Sequence, residues 1–104
     1  MDEKNKLLDK ARVSCKCESD GALARRMGVT RAAVSSWRHG QRMDDKNLAA
    51  LLELAGEHPR VAIFIKNEDA ETAAEKAVWG ELTRRLLRNN SIHEQHDDAE
   101  QVAG

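Results

Sequence analysis

Residues 21–40 read GALARRMGVTRAAVSSWRHG, and the reading of this stretch decides the fold. It holds four arginines and a histidine, which a segment buried in a core would not tolerate. It also holds Val34 and Trp37, which a wholly solvated segment would not need. Two short helices joined by a tight turn satisfy both demands. The first helix ends at Gly28, a residue that accepts positive φ. Thr30 caps the second, which runs through Arg38 or His39 to Gly40. Ala24 supplies the small side chain wanted where two helices cross steeply, and Val29, Val34 and Trp37 anchor the second helix on a core. Arg31, Ala32, Ser35 and Arg38 then lie on its outer surface, where short or basic side chains let a helix sit deep in a groove and donate hydrogen bonds.

On the N-terminal side, Leu7, Leu8, Ala11 and Val13 recur at near-helical spacing, so a helix is expected over residues 3–14. Ser19 or Asp20 caps the helix that follows. On the C-terminal side Asp44 caps DDKNLAALLELA, whose stripe is Leu48, Leu51, Leu52 and Ala55, and Gly56 closes it. His58-Pro59 opens the next element, with proline suited to a first helical position. The run VAIFI (61–65) suits a strand by composition, but no second strand is visible to pair with it, so a short helix is expected. A last helix over about 70–89 steps through Ala70, Ala74, Ala77, Val78, Leu82 and Leu86, with Trp79 and Leu87 widening its apolar face. From Ser91 the sequence SIHEQHDDAEQVAG has no apolar period and reads as a disordered acidic tail over 91–104. The chain is therefore expected to be all-α: five helices with an additional C-terminal helix.

The composition narrows the function. The chain has 104 residues, is 34% charged, and contains neither an apolar run long enough to span a membrane nor a secretory signal, so a cytoplasmic protein is expected. Its net charge of −1 hides a division. Residues 1–43 carry ten Lys and Arg against five Asp and Glu, whereas residues 44–104 carry seven against thirteen. That asymmetry suggests a basic working face and an acidic remainder. Cys15 and Cys17 stand one residue apart, where a disulfide would be strained, so reduced thiols are expected. Nothing in the chain marks an enzyme. There is no glycine-rich phosphate loop and no Ser/His/Asp set, and no cofactor or metal ligand set is expected. His93 and His96 could only imitate a metal pair.

The segment DGALARRMGVTRAAVSSWRHGQR resembles the helix-turn-helix of the lambda-repressor/Cro-like family. Ala24, Gly28, Val34 and Trp37 fall at the family's small, turn and anchor positions. VSSWRHG is similar to the V/I-S-x-W-x-x-G signature common in phage and bacterial regulators. With its flanking helices the resemblance reaches about residue 66, which makes 1–66 the DNA-binding domain and leaves 67–90 as a C-terminal helix. It implies a second helix in the major groove, with Arg31, Ala32 and Ser36 at base edges. Thr30 and Ser35 fall where hydroxyls hold phosphate, and Gln41 and Arg42 where the chain touches the backbone. The position after Trp37, often acidic in relatives, is Arg38 here, which is expected to strengthen phosphate attraction.

A single reading helix with one arginine has modest specificity. A homodimer on a two-fold operator is therefore expected, paired through Val78, Trp79, Leu82, Leu86 and Leu87; the alternative is that this helix folds back to finish the core of its own chain. Gly80 inside that helix costs about 1 kcal/mol and suggests close packing there. The implied function is a phage- or prophage-type transcriptional repressor of double-stranded DNA. The nearest alternative is an antitoxin of the same fold, whose acidic second half would meet a protein partner; a protein–protein adaptor is more distant.

Overall fold

Ser19 and Thr30, the hydroxyl residues ahead of the two central helices, are their N-caps. Ser19 Oγ accepts the Ala22 amide at 3.1 Å and Thr30 Oγ1 accepts the Ala33 amide at 3.0 Å. The computed structural model describes residues 2–103, with side chains through Arg88. Its helices are α1 (Glu3–Cys15), α2 (Asp20–Met27), α3 (Arg31–Arg38), α4 (Asp45–Ala55), α5 (Val61–Asp69) and α6 (Ala73–Ala103). Every regular element among the described residues is helical. The chain divides into two compact units, Met1–Asp69 and Ala70–Gly104.

In the first unit the helix ends are set locally. Gly28 takes φ 77° and closes α2: its amide reaches the Arg25 carbonyl at 3.2 Å and the Val29 amide the Ala24 carbonyl at 2.9 Å. The core gathers Leu7, Leu8 and Ala11 of α1, Leu23 and Ala24 of α2, Val34 and Trp37 of α3, Met43, the α4 stripe, and Ile65 of α5. Leu8, Leu23, Val34, Leu51 and Ile65 are fully buried, each contributing about 1.5–3 kcal/mol of apolar transfer. α1 packs most extensively on α4, and α2 on α3. Asp44 precedes α4 as expected, but its carboxylate accepts from the Asn47 side chain at 2.6 Å and caps no backbone amide.

The VAIFI run is helical. Val61, Ala62, Ile65 and Asp69 fall on one face, with Ile65 sealed in the core and Val61 and Ala62 packed against it. With α5 complete, the first compact unit runs to Asp69. The reason is chemical: the last residues of α5 belong to α1. Glu68 accepts the Glu3 and Lys4 amides at 2.6 and 3.0 Å, supplying the helix N-terminus that the Asp2 side chain does not cap. Asp69 pairs with the Lys4 ammonium, with both side chains buried. The same ammonium donates to the Gln41 carbonyl at 2.6 Å, and the free Asp69 oxygen accepts the Met43 amide at 3.0 Å. A buried charge pair needs such additional hydrogen bonds to offset its desolvation.

The expectation of two reduced thiols is overturned. Cys15 and Cys17 are joined as a disulfide, with their Cα atoms 5.3 Å apart, inside the usual range for such a bridge. What permits it is Lys16, which ends α1 in the left-handed region at φ 57° and folds the two cysteines toward each other. No glycine announces that turn.

In the second unit, α6 begins at Ala73, three residues later than expected. Thr72 Oγ1 accepts the Glu75 amide at 3.1 Å while the Glu75 carboxylate accepts the Glu71 and Thr72 amides at 2.9 and 3.1 Å, a reciprocal capping box. α6 spans the segment from residue 91 to Ala103, for which the sequence offered no periodic pattern and an unstructured tail was expected. His93 and His96 lie outside the residues whose side chains are described. No helix among the described residues is long and apolar enough to cross a membrane.

Candidate nucleic-acid interface

The helical period splits α3 into two faces. Val34 and Trp37 point inward, fully buried and 6% exposed respectively, and fix the helix on the core. Arg31, Ala32, Ser35 and Ser36 are exposed. Gln41 and Arg42 continue the exposed surface past the helix, and Arg25 and Arg26 of α2 are exposed as well. The sequence-predicted base readers Arg31, Ala32 and Ser36 therefore share one accessible helix.

Several members have identifiable contacts. The Arg31 side chain lies over the first turn of α2, where a Cβ added at Gly21 would meet its Cδ at 3.7 Å. It lines a cleft there with Ser19, Asp20, Gly21 and Arg25. Thr30 already uses its oxygen as the α3 cap, so what it has left to offer a ligand is its hydroxyl hydrogen. Beyond α3, the Ser36 carbonyl accepts both the His39 and Gln41 amides, at 3.1 and 3.0 Å. The imidazole Nδ1 of His39 stands 2.7 Å from the Ser35 carbonyl. With Lys4 on the Gln41 carbonyl and Asp69 on the Met43 amide, residues 39–43 are pinned from behind, leaving the Gln41 and Arg42 side chains outside.

Arg38 is placed otherwise than the sequence suggested. Its guanidinium turns back from the exposed face and spends all five N–H donors inside the chain. Nε and Nη2 form a two-pronged pair with Asp20, each at 3.0 Å. Nη2 also meets Asp9 at 2.8 Å. Nη1 donates to the Asn5 carbonyl and to its side-chain oxygen, at 3.3 and 3.2 Å. Arg38 thus ties α3 to α1 and α2 and has nothing left for a phosphate. These hydrogen bonds, those from Arg38 foremost, hold the Asp20 carboxyl below the ordinary carboxylate range despite its partial burial, with the charges of Arg38, Arg12 and Arg31 adding to the effect. In return Asp20, ahead of Asp9, raises Arg38 further.

Sequence reasoning missed Asp20, Asp9 and Asn5 as partners of Arg38. It likewise missed Lys4, Glu68 and Asp69 as the clamp behind Gln41. One signal was present: a basic residue at a position usually acidic in the family it resembles must find its counter-charges elsewhere.

The expected pairing residues lie on α6. Val78 and Leu87 are exposed, and Trp79, Leu82 and Leu86 are half-buried. Glu81 binds Arg84 and, at 3.0 Å, Arg85. By helical spacing Arg84 lies on the side away from the Val78, Leu82 and Leu86 row, whereas Glu81 and Arg85 border that row.

No protein family, curated protein or solved structure matches this chain.

Proposed function

We propose that the protein is a sequence-specific, double-stranded DNA-binding transcriptional repressor of phage or prophage type, built on a lambda-repressor-like helix-turn-helix and acting as a homodimer on a palindromic operator. The observation that carries this reading is the division of α3: its apolar residues Val34 and Trp37 are buried, while Arg31, Ala32, Ser35 and Ser36 stand together on the accessible side.

A helix with short side chains fits deep in the major groove. At its N-terminal end Arg31 bridges guanine O6 and N7, a contact worth about 1–3 kcal/mol of discrimination. Ala32 meets a thymine methyl, and Ser36 donates to a base edge. Thr30, Ser35, Gln41 and Arg42 hold phosphates and fix the register. Arg38 has no part in this contact set. One arginine reads little sequence, so two copies paired through α6 read two half-sites about 34–36 Å apart. Repression follows from occupancy of an operator that overlaps a promoter.

The test is selection from a random duplex library at moderate salt, followed by titration of the winner. A palindromic consensus with half-sites one turn apart supports the reading; folded protein that enriches no sequence overturns it.

A further inference from the structure

Asp20 sits where three helices converge. It is the first residue of α2, yet both of its carboxylate oxygens face out of that helix, onto the Arg38 guanidinium at the far end of α3. Arg12 of α1 approaches the same carboxylate at 3.5 Å, and that arginine also donates to the Cys17 and Glu18 carbonyls, fastening the turn that leads into α2. At the near end of α3, Asp20 lines the cleft along which the Arg31 side chain runs over Gly21. One carboxylate therefore touches the last residue of α3 and neighbours the first.

We infer that Asp20 is a positioning residue for sequence readout, which fixes the roll of α3 through Arg38 and the direction of the Arg31 side chain through the shared cleft. The inference rests on the DNA-binding reading above and adds to it a residue that touches no DNA.

The physical argument is one of geometry against charge. A planar fork bound by two oxygens fixes angle as well as distance, which a single contact does not. Val34 and Trp37, with Ala33 packed beside them, seat α3 on the core. The Asp20 fork, with the Asp9 and Asn5 contacts, adds a fixed angle at the far end of the helix. Recognition tolerates errors of only about 0.5 Å in such a constellation, so a few degrees of roll matter at the tip of Arg31. Charge alone pulls the other way. Asp20 places a negative group beside a surface meant for phosphates, and a protein selected only for attraction to DNA would do better without it.

The two effects have opposite signs in one variant. In Asp20→Asn the local charge becomes more positive, so affinity for random duplex is expected to stay equal or rise. Affinity for the selected operator is expected to fall, lowering the ratio of specific to non-specific affinity about tenfold, as expected when one two-pronged base contact is largely lost. Asp20→Glu, which keeps the charge and both oxygens, is expected to restore part of that ratio. Arg38→Lys keeps the charge but loses the fork, and is expected to behave like Asp20→Asn. It serves as the measurement should Asp20→Asn not fold, with the melting transition recorded for each variant. A ratio unchanged in the folded variants overturns the positioning role while the wild-type operator preference stands. Equal loss of both affinities also overturns it, since that reports only less folded protein. Absence of any preferred duplex for the wild type overturns the function and this role together.

Discussion

The Lys4 ammonium and the Asp69 carboxylate, 65 positions apart in the chain, meet as a buried ion pair beneath the segment that follows α3. Removing one partner leaves an uncompensated buried charge, which costs about 3–5 kcal/mol. Lys4→Met and Asp69→Leu are each expected to lower the unfolding free energy read from urea titration by that much, a large share of a small domain's stability. The double variant is expected to recover most of the loss. Single variants within 1 kcal/mol of wild type would show that the pair is idle.

Arg31 and Arg42 are expected to fail differently. Arg31→Ala should weaken operator binding by about 1–3 kcal/mol and relax base preference at one position per half-site. Arg42→Ala should weaken binding evenly across sequences and reduce the salt dependence by about one phosphate contact per subunit. Titration against operator and scrambled duplexes at several salt concentrations separates the two. Identical profiles would contradict the assignment of reader and anchor.

Gly28 adopts φ 77° with open space where a side chain would be. Gly28→Ala therefore meets no clash, only the backbone penalty of about 1–2 kcal/mol for a left-handed L-residue. A fall in melting temperature of several degrees is expected, measured by circular dichroism, with the helical content preserved.

Asp20 gives the acid limb of stability a definite sign. Its carboxyl is held below the ordinary range chiefly by hydrogen bonds from Arg38. The stabilisation is therefore complete above the unfolded-chain value of about 3.9 and is lost as pH falls through the lower folded value. Asp20→Asn should narrow the stability gap to wild type as the pH drops below 4, and the gap should be widest near neutrality. Chemical denaturation at pH 7, 5 and 3 reads this directly.

For α6, Leu82→Glu places a charge in the row shared with Val78 and Leu86. If that row pairs two copies, sedimentation equilibrium should show a dimer for wild type and a monomer for the variant. Arg84→Ala, on the other side of the helix, should leave the dimer intact.

What the sequence disclosed and what it hid follow a physical line. Ser19, Gly28, Thr30 and Gly56 announced helix ends because a cap acts on amides and carbonyls three or four residues away. The buried faces of α3 and α4 were legible from their period. α5 was legible only by elimination, since VAIFI has no alternation and its helical character depends on packing within the first unit. The ion pairs were not legible. Arg38 chooses Asp20, Asp9 and Asn5, and Lys4 chooses Asp69, because folding brings them together across 18 to 65 positions. Nothing local to Arg38 distinguishes a guanidinium aimed at solvent from one turned inward. The Cys15–Cys17 turn was hidden for a related reason: it is made by a lysine in a conformation that sequence patterns associate with glycine.

The separation of duties on α3 has a consequence for how this scaffold can change. Val34, Trp37 and Arg38 hold the helix in place, and none of Arg31, Ala32, Ser35 or Ser36 contributes a side-chain hydrogen bond to that mounting. The outward residues can be exchanged for others of similar helix propensity while the support stays as it is. A library randomised at those four positions should fold almost throughout, so new binding preferences can be sought without re-engineering the protein that displays them.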